Sequence, residues 1–205
     1  GWGGYWAWDP VENASFLPWL TATAFIHSTM VVERKKMLKL WTLSLGLWTF
    51  ILTIVGTFMT RSGLFNSVHS FSQSDIGPTF VPFIGVCFLL SILLPATRGH
   101  LLMAESNLKT VLARETTILI ANFVFVAITF TVFLGTIFPM VVEKLQNKKL
   151  TVGEPYFNAM FVPAAILALF LLGVGPMLPW GESDPKILRR RLLAPVAALI
   201  VTMGA

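Results

Sequence analysis

Histidine inside apolar sequence is the first feature of this chain that could do chemistry. His27 lies within a long apolar stretch, and His69 lies in a polar segment between two such stretches. An ionisable side chain in an apolar surrounding is costly and usually faces a cavity or a partner. Histidine is a common axial ligand of haem iron, so both residues are candidate iron ligands. For His69, a solvated loop residue remains the alternative.

The chain opens on a cluster of aromatic side chains. Its members are Trp2, Tyr5, Trp6 and Trp8, and glycines stand at positions 1, 3 and 4. Aromatic rings offer flat apolar faces, and a glycine such as Gly3 lets the backbone approach a ligand closely. The cluster could therefore hold a planar porphyrin. Tryptophan and tyrosine also concentrate at membrane interfaces, so an interfacial belt remains an alternative.

The residues after this cluster predict the start of a helix. Asp9 suits the N-cap, Pro10 the first helical position, and Glu12 the third position of a capping box. A second interpretation is that Asp9 and Glu12 help to position haem or a protein partner.

Long apolar blocks must position these residues. Of the 205 residues, 55% are hydrophobic and 12% are charged, and a mean hydropathy of +0.75 indicates a membrane protein. Blocks near the length of a span, about 20 residues, lie at 14–32, 38–59, 79–97, 116–138 and 161–180, and a sixth begins near 194. We therefore predict an all-α, polytopic transmembrane helical bundle of about six spans in one membrane domain, residues 1–205. Because the first residue is Gly1, we expect an internal piece of a longer protein.

The basic residues predict the orientation of the spans. Eleven of the fifteen fall in alternate connections that begin at positions 34, 98 and 186, which predicts that these connections are cytoplasmic. The opening segment 1–16 and the loops 60–78 and 139–160 are then on the outer face. This distribution also argues against nucleic acid as the partner of a chain with a formal charge of +5.

Three other residues carry weaker signals. Cys87 is the single cysteine, so neither a disulfide framework nor a CxxCH haem-attachment motif is available here. Arg61 could pair with an anionic haem propionate, or it could be an interfacial anchor. His100 is expected to be solvated or interfacial.

The run from Trp2 to Phe16 resembles the WWD signature of the haem-handling protein superfamily. Its Asp-Pro-Val-Glu-Asn-Ala-Ser continuation is similar to the CcmF family of cytochrome c-type biogenesis proteins. The run departs from the family pattern at Tyr5, which keeps an aromatic face, and at Ala7, which loses one. Further resemblances follow in order along the chain: Thr60-Arg61-Ser62-Gly63, Ser67-Val68-His69-Ser70-Phe71, Arg114-Glu115, Leu134-Gly135-Thr136 and Gly153-Glu154-Pro155-Tyr156-Phe157-Asn158.

The resemblance implies two haem positions. At the outer face, His69 would ligate the haem that is to be attached, beside the WWD segment with Trp2, Gly3, Tyr5, Trp6, Trp8 and Asp9. Within the membrane, His27 would ligate a permanently bound haem b, about 18 Å below the outer end of a helix that starts near Ser15. The second histidine of each pair is expected outside this chain.

The resemblance also implies a function and partners. It implies a haem lyase of the bacterial inner membrane, which presents haem for thioether attachment to apocytochrome c. The haem chaperone CcmE would deliver haem, and CcmH would present the apocytochrome. No residue here is expected to act as the catalytic nucleophile, because the thiols come from the apocytochrome. The alternative is a haem transporter or carrier without bond-forming activity.

Overall fold

A computed structural model describes residues 4–62, 77–148 and 150–182, together with residues 186, 189, 190, 193 and 197. In these ranges the helices are α1 Pro10–Lys35, α2 Lys39–Arg61, α3 Gly77–Arg98, α4 Arg114–Gln146 and α5 Glu154–Val174. Short 3-10 helices, Gly99–Leu102 and Gly175–Met177, follow α3 and α5. Five helices of the described part are long and apolar enough to cross a membrane, which confirms the all-α prediction. Apart from residue 197, the predicted sixth span lies outside the described residues.

Helices α4 and α5 differ most from the predicted blocks. The predicted block ended before Pro139, but α4 continues through it to Gln146 and closes at Asn147 in the left-handed conformation, with φ 51°. Helix α5 begins at Glu154, behind an N-cap at Gly153, and ends earlier than predicted. Among the described residues, the non-helical part of the predicted 139–160 loop is therefore 147–148 and 150–153.

Helices α1, α2 and α4 form the centre of the bundle. Their shared core contains Leu17, Leu20, Ala24, Leu45, Leu52, Phe125, Ile128 and Val132. Helix α3 packs on α2, and α5 packs on α4, at the periphery. Most large apolar side chains of α3 and α5 are exposed, as expected for surfaces covered by lipid or by further protein.

Helices α1 and α2 meet along a row of small and polar residues spaced seven apart. The Oγ of Ser28 lies 2.7 Å from Oγ1 of Thr42, and Oγ1 of Thr49 donates to Oγ1 of Thr21 at 3.0 Å. The next facing pair, one further step of seven residues along each helix, is Ala14 and Gly56. A Cβ on Gly56 would lie 2.8 Å from the carbonyl oxygen of Ala14. Such small-residue contacts and interhelical hydrogen bonds are typical of packing within membranes.

The two ends of the bundle differ in chemistry. We call the end that holds residues 4–9, 147–148 and 150–153 the tryptophan end, and the end that holds residues 36–38, 99–113 and 175–182 the basic end. At the basic end, the loop after α3 is tied to the turn between α1 and α2, since Ser106 Oγ donates to the carbonyl of Lys35 at 2.6 Å. The buried carboxylate of Glu115 accepts the backbone N–H of Gly181 at 2.9 Å, which fixes the segment after α5 on α4.

Candidate functional site

The tryptophan end is built around the start of α1. Asp9 is the N-cap, Pro10 follows it, and Glu12 is the third residue of a capping box, which confirms the helix start predicted from the sequence. The Glu12 carboxylate accepts the backbone N–H groups of Ala7 at 2.9 Å and of Asp9 at 3.1 Å. This carboxylate therefore fixes the backbone of the opening segment directly before the helix.

Trp8 anchors the opening segment inside the protein. Its ring is only 8% exposed and stacks on Phe157 of α5, with centroids 5.1 Å apart and planes 11° apart. Its indole N–H donates a 2.8 Å hydrogen bond to Oδ1 of Asn158. The backbone of Trp8 has a φ of +55°, a strained value for a bulky residue that surrounding contacts must hold. The sequence predicted that Trp8 could stack on a porphyrin, but Phe157 already covers one face of its ring.

Trp6 and Tyr5 present more surface than Trp8. Trp6 is half-buried and meets Trp8 edge-on, with centroids 5.6 Å apart and planes 86° apart. Tyr5 is fully exposed. Trp2 and Gly3 lie outside the described residues. Among the described members of the WWD segment, Trp6 and Tyr5 are therefore the rings available to an external planar ligand.

Asn13 is a key residue of this end that the sequence analysis did not single out. Its side chain is fully buried, and its amide N–H groups donate to the carbonyl of Trp8 at 3.0 Å and to Oγ1 of Thr136 at 2.9 Å. Asn13 therefore ties the strained Trp8 backbone to α4. The available signal was a strongly polar side chain at the start of an apolar helix.

A cavity of about 200 Å³ lies beside Trp8. Its walls come from the start of α1, the end of α4, the 150–152 segment and the start of α5, and they include Trp8, Thr136, Met140, Glu143 and Phe157. The anchored tryptophan therefore lines this cavity and is also part of the hydrophobic core.

His27 lies deep in α1 and is half-buried. Its Nδ1 lies 2.7 Å from the carbonyl oxygen of Thr23. A carbonyl can only accept, so in the neutral ring Nδ1 carries the proton of this hydrogen bond and Nε2 has the lone pair. A histidine that ligates a metal through one nitrogen commonly donates its other N–H in this way.

The face of α1 beside His27 is apolar and exposed. It includes Trp19, Ile26 and Met30, which are 56%, 61% and 42% exposed. The opposite face of α1 packs on α2 and α4, where Ala24 and Ser28 are fully buried. His27 is therefore at the border of a surface that a large apolar ligand, lipid or another helix could cover.

The structure keeps His27 and the tryptophan end apart. Counted from the start of α1 at Pro10 rather than from Ser15, His27 lies about 26 Å along the helix rather than about 18 Å. His69 lies outside the described residues. Arg61 is exposed at the end of α2, and His100 is exposed at the basic end.

Comparison with known proteins identifies the class. Residues 1–65, which hold the tryptophan segment, α1 and α2, match the family described as Cytochrome C assembly protein. This part of the bundle is thus of the cytochrome c assembly class.

The full length of the chain identifies the family within that class. The chain is 40% identical over 205 residues to the cytochrome c-type biogenesis protein CcmF of Escherichia coli K12, with 99% of this chain and 32% of that protein covered. It is 39% identical over 210 residues to CcmF of Pseudomonas aeruginosa, with 100% and 31% covered. A solved structure, Cytochrome c Heme Lyase CcmF, matches with a TM-score of 0.75 and 35% identity, over 100% of this chain and 29% of that one. The chain belongs to the CcmF cytochrome c-type biogenesis proteins and spans about three tenths of their length.

Proposed function

We propose that this chain is part of a haem lyase that holds haem for covalent attachment to apocytochrome c. The tryptophan end would face the outside of a bacterial inner membrane and receive the substrate haem. A second haem, of type b, would be held within the membrane by His27. The kinship with CcmF supports the first half, since one solved relative carries the name of a haem lyase.

The observation that carries the proposal is the orientation of His27. The Thr23 carbonyl holds the proton on Nδ1, so Nε2 offers the lone pair that iron coordination requires. The neighbouring apolar surface with Trp19 and Met30 suits the edge of a porphyrin. His27 therefore fits as one axial ligand of haem b, and bound haem b would supply electrons that keep the substrate iron ferrous.

The tryptophan end would act by positioning. In the attachment reaction, the S–H of each apocytochrome cysteine adds across a haem vinyl group, so that sulfur bonds to one vinyl carbon and hydrogen to the other. The thiols come from the partner, and orientation of the reactants can lower such a barrier by several kcal/mol. Trp6, Tyr5 and the segment that includes Trp2 and Gly3 would hold the porphyrin plane, on the rigid support that Trp8 and Asn13 provide.

His69 and Asp9 complete the proposed outer site. His69 would ligate the substrate iron, and Asp9 would lie at the edge of the haem while it caps α1. Haem would arrive from CcmE, and CcmH would present the CxxCH segment of the apocytochrome. A second histidine for each iron would come from another part of the protein.

A maturation assay tests this function. The full-length protein is expressed in a bacterium that lacks its own CcmF, and covalently bound haem is measured in a reporter c-type cytochrome. We expect wild type to restore the holocytochrome, His27→Ala and His69→Ala to lose most of it, and His100→Ala to match wild type. Full maturation by both His27→Ala and His69→Ala would contradict the proposed ligands. Haem binding without any holocytochrome, even with CcmE and CcmH present, would favour the carrier instead.

A further inference from the structure

Asn122 is a buried amide of α4. It lies in the first third of α4 and is 0% exposed. Within the described protein, neither Oδ1 nor Nδ2 makes a hydrogen bond. An unpaired amide in an apolar interior is costly, and buried polar groups are therefore almost always paired. We therefore expect the Asn122 amide to form hydrogen bonds with a ligand rather than with the described protein residues.

Asn122 lies on the face of α4 that meets α1. Thr129 and Thr136 follow it at steps of seven residues, so all three share one side of the helix. Thr136 accepts a hydrogen bond from Asn13 of α1. This contact fixes which residues of the two antiparallel helices lie opposite each other. From the Asn13–Thr136 contact, two steps of seven residues toward the basic end cover about 21 Å along each helix. At that depth Asn122 of α4 lies opposite the turn of α1 that holds His27 and Ser28.

A pair of buried hydroxyl side chains lies at the same depth as Asn122. Ser28 is fully buried, and its hydroxyl contacts Thr42 of α2 at 2.7 Å. The three central helices therefore each bring a buried polar side chain to this depth. We call Ser28, Thr42 and Asn122 the polar seam.

We propose that the polar seam binds water at Asn122. The amide is enclosed, so neither a lipid headgroup nor a further segment of protein reaches it without opening the helix packing. The ligand must be small and must both donate and accept hydrogen bonds, because both amide atoms are unpaired. Water meets these conditions, and buried waters typically join two to four otherwise unpaired polar groups. Such a water would connect α4 to the turn of α1 beside His27.

Radiolytic labelling in ¹⁸O water provides a direct test. Brief X-ray exposure of the full-length protein in lipid nanodiscs generates hydroxyl radicals from enclosed waters, and these radicals oxidise adjacent side chains. Phe125 is 5% exposed and lies one turn from Asn122, whereas Phe123 on the same helix is 54% exposed toward the surroundings. We expect Phe125 to take up ¹⁸O several-fold faster than Phe123, although it is the more buried ring.

Two variants make the test specific. Asn122→Leu keeps the branching at Cγ but removes the hydrogen-bonding groups, so the labelling of Phe125 should fall several-fold. Thr129→Val is the matched control, because its hydroxyl donates only to the Phe125 carbonyl of its own helix. That variant should label like wild type. If Phe125 in wild type labels no faster than Phe123, the seam is dry and the inference fails, even if the Asn122 variant does not fold.

Discussion

The indole N–H of Trp8 donates to Oδ1 of Asn158, 150 residues further along the chain, at 2.8 Å. This bond joins the segment before α1 to the first turn of α5. The stacking of Trp8 on Phe157 joins the same two segments. These contacts hold the aromatic segment as one rigid part of the fold. A surface that positions a planar ligand requires such rigidity.

Asn158→Leu should destabilise the protein by about 1–3 kcal/mol, because it leaves the indole N–H of Trp8 unpaired at a mostly buried site. Asn158→Asp keeps an acceptor on an exposed residue and should cost clearly less. Thermal unfolding of the full-length protein in detergent gives both values. Equal stability of the Leu and Asp variants would show that this bond contributes nothing.

Asn13→Ala should be more severe, at about 2–4 kcal/mol, because it removes two buried hydrogen bonds and the tie between Trp8 and α4. The control is Ser15→Ala, whose exposed hydroxyl donates only to the nearby Glu12 carbonyl. Unfolding monitored by tryptophan fluorescence compares the two variants. A loss no larger than that of the control would contradict the assigned role of Asn13.

Gly135→Ala should loosen the packing of α5 on α4. A Cβ at this position would lie 2.6 Å from a ring carbon of Tyr156 and 2.8 Å from one of Phe157, so the rings must move. We expect a loss of about 1–3 kcal/mol from such overpacking. Gly173→Ala is the control, since a Cβ there meets nothing within 4 Å and should be neutral or slightly stabilising. Unchanged stability of Gly135→Ala would indicate that the two helices are further apart.

The basic end should show a small, salt-dependent response to pH. A hydrogen bond from Lys39, at 2.5 Å, and the charge of Lys39 hold the pKa of Glu105 below its ordinary value. Because the folded pKa is the lower one, the stabilisation is present above the ordinary carboxyl pKa and is lost as pH falls through the lowered value. Glu105→Gln should therefore lower the melting temperature slightly at neutral pH and low salt.

The pH response is checked by melting curves of Glu105→Gln and wild type across acid and neutral pH. The difference should shrink at acid pH and in high salt, which screens exposed pairs. Glu33→Gln, at another exposed carboxylate, controls for the general loss of a charge. A difference that persists at acid pH would exclude the ion pair as its cause.

The sequence predicted the helices more accurately than the contacts between them. Apolar block length predicted all five described spans, and local capping chemistry predicted the start of α1 at Asp9 and Pro10. The end of α4 differed because a proline within a long packed helix need not terminate it. The end of the fifth block was wrong because hydropathy counts the apolar residues of the 175–180 segment, although Gly175–Met177 leaves the α-helix.

The site was predictable only where its chemistry is local. An ionisable residue in an apolar span pointed to His27, and its hydrogen bond to Thr23 lies one turn away on the same helix. The burial of Trp8 and the role of Asn13 depend on Asn158 and Thr136, which are more than a hundred residues distant in sequence. No pattern within the aromatic segment distinguishes an anchored ring from an exposed one.

The central claim is that His27 is an iron ligand of a haem within the membrane. Its most direct test is the reduced-minus-oxidised absorbance spectrum of the full-length protein purified from membranes, with His27→Ala and the exposed His100→Ala measured alongside. The account predicts a b-type spectrum in wild type and in His100→Ala, and its loss in His27→Ala. A b-type spectrum that persists in His27→Ala, or a folded wild-type protein that carries no haem, would contradict it.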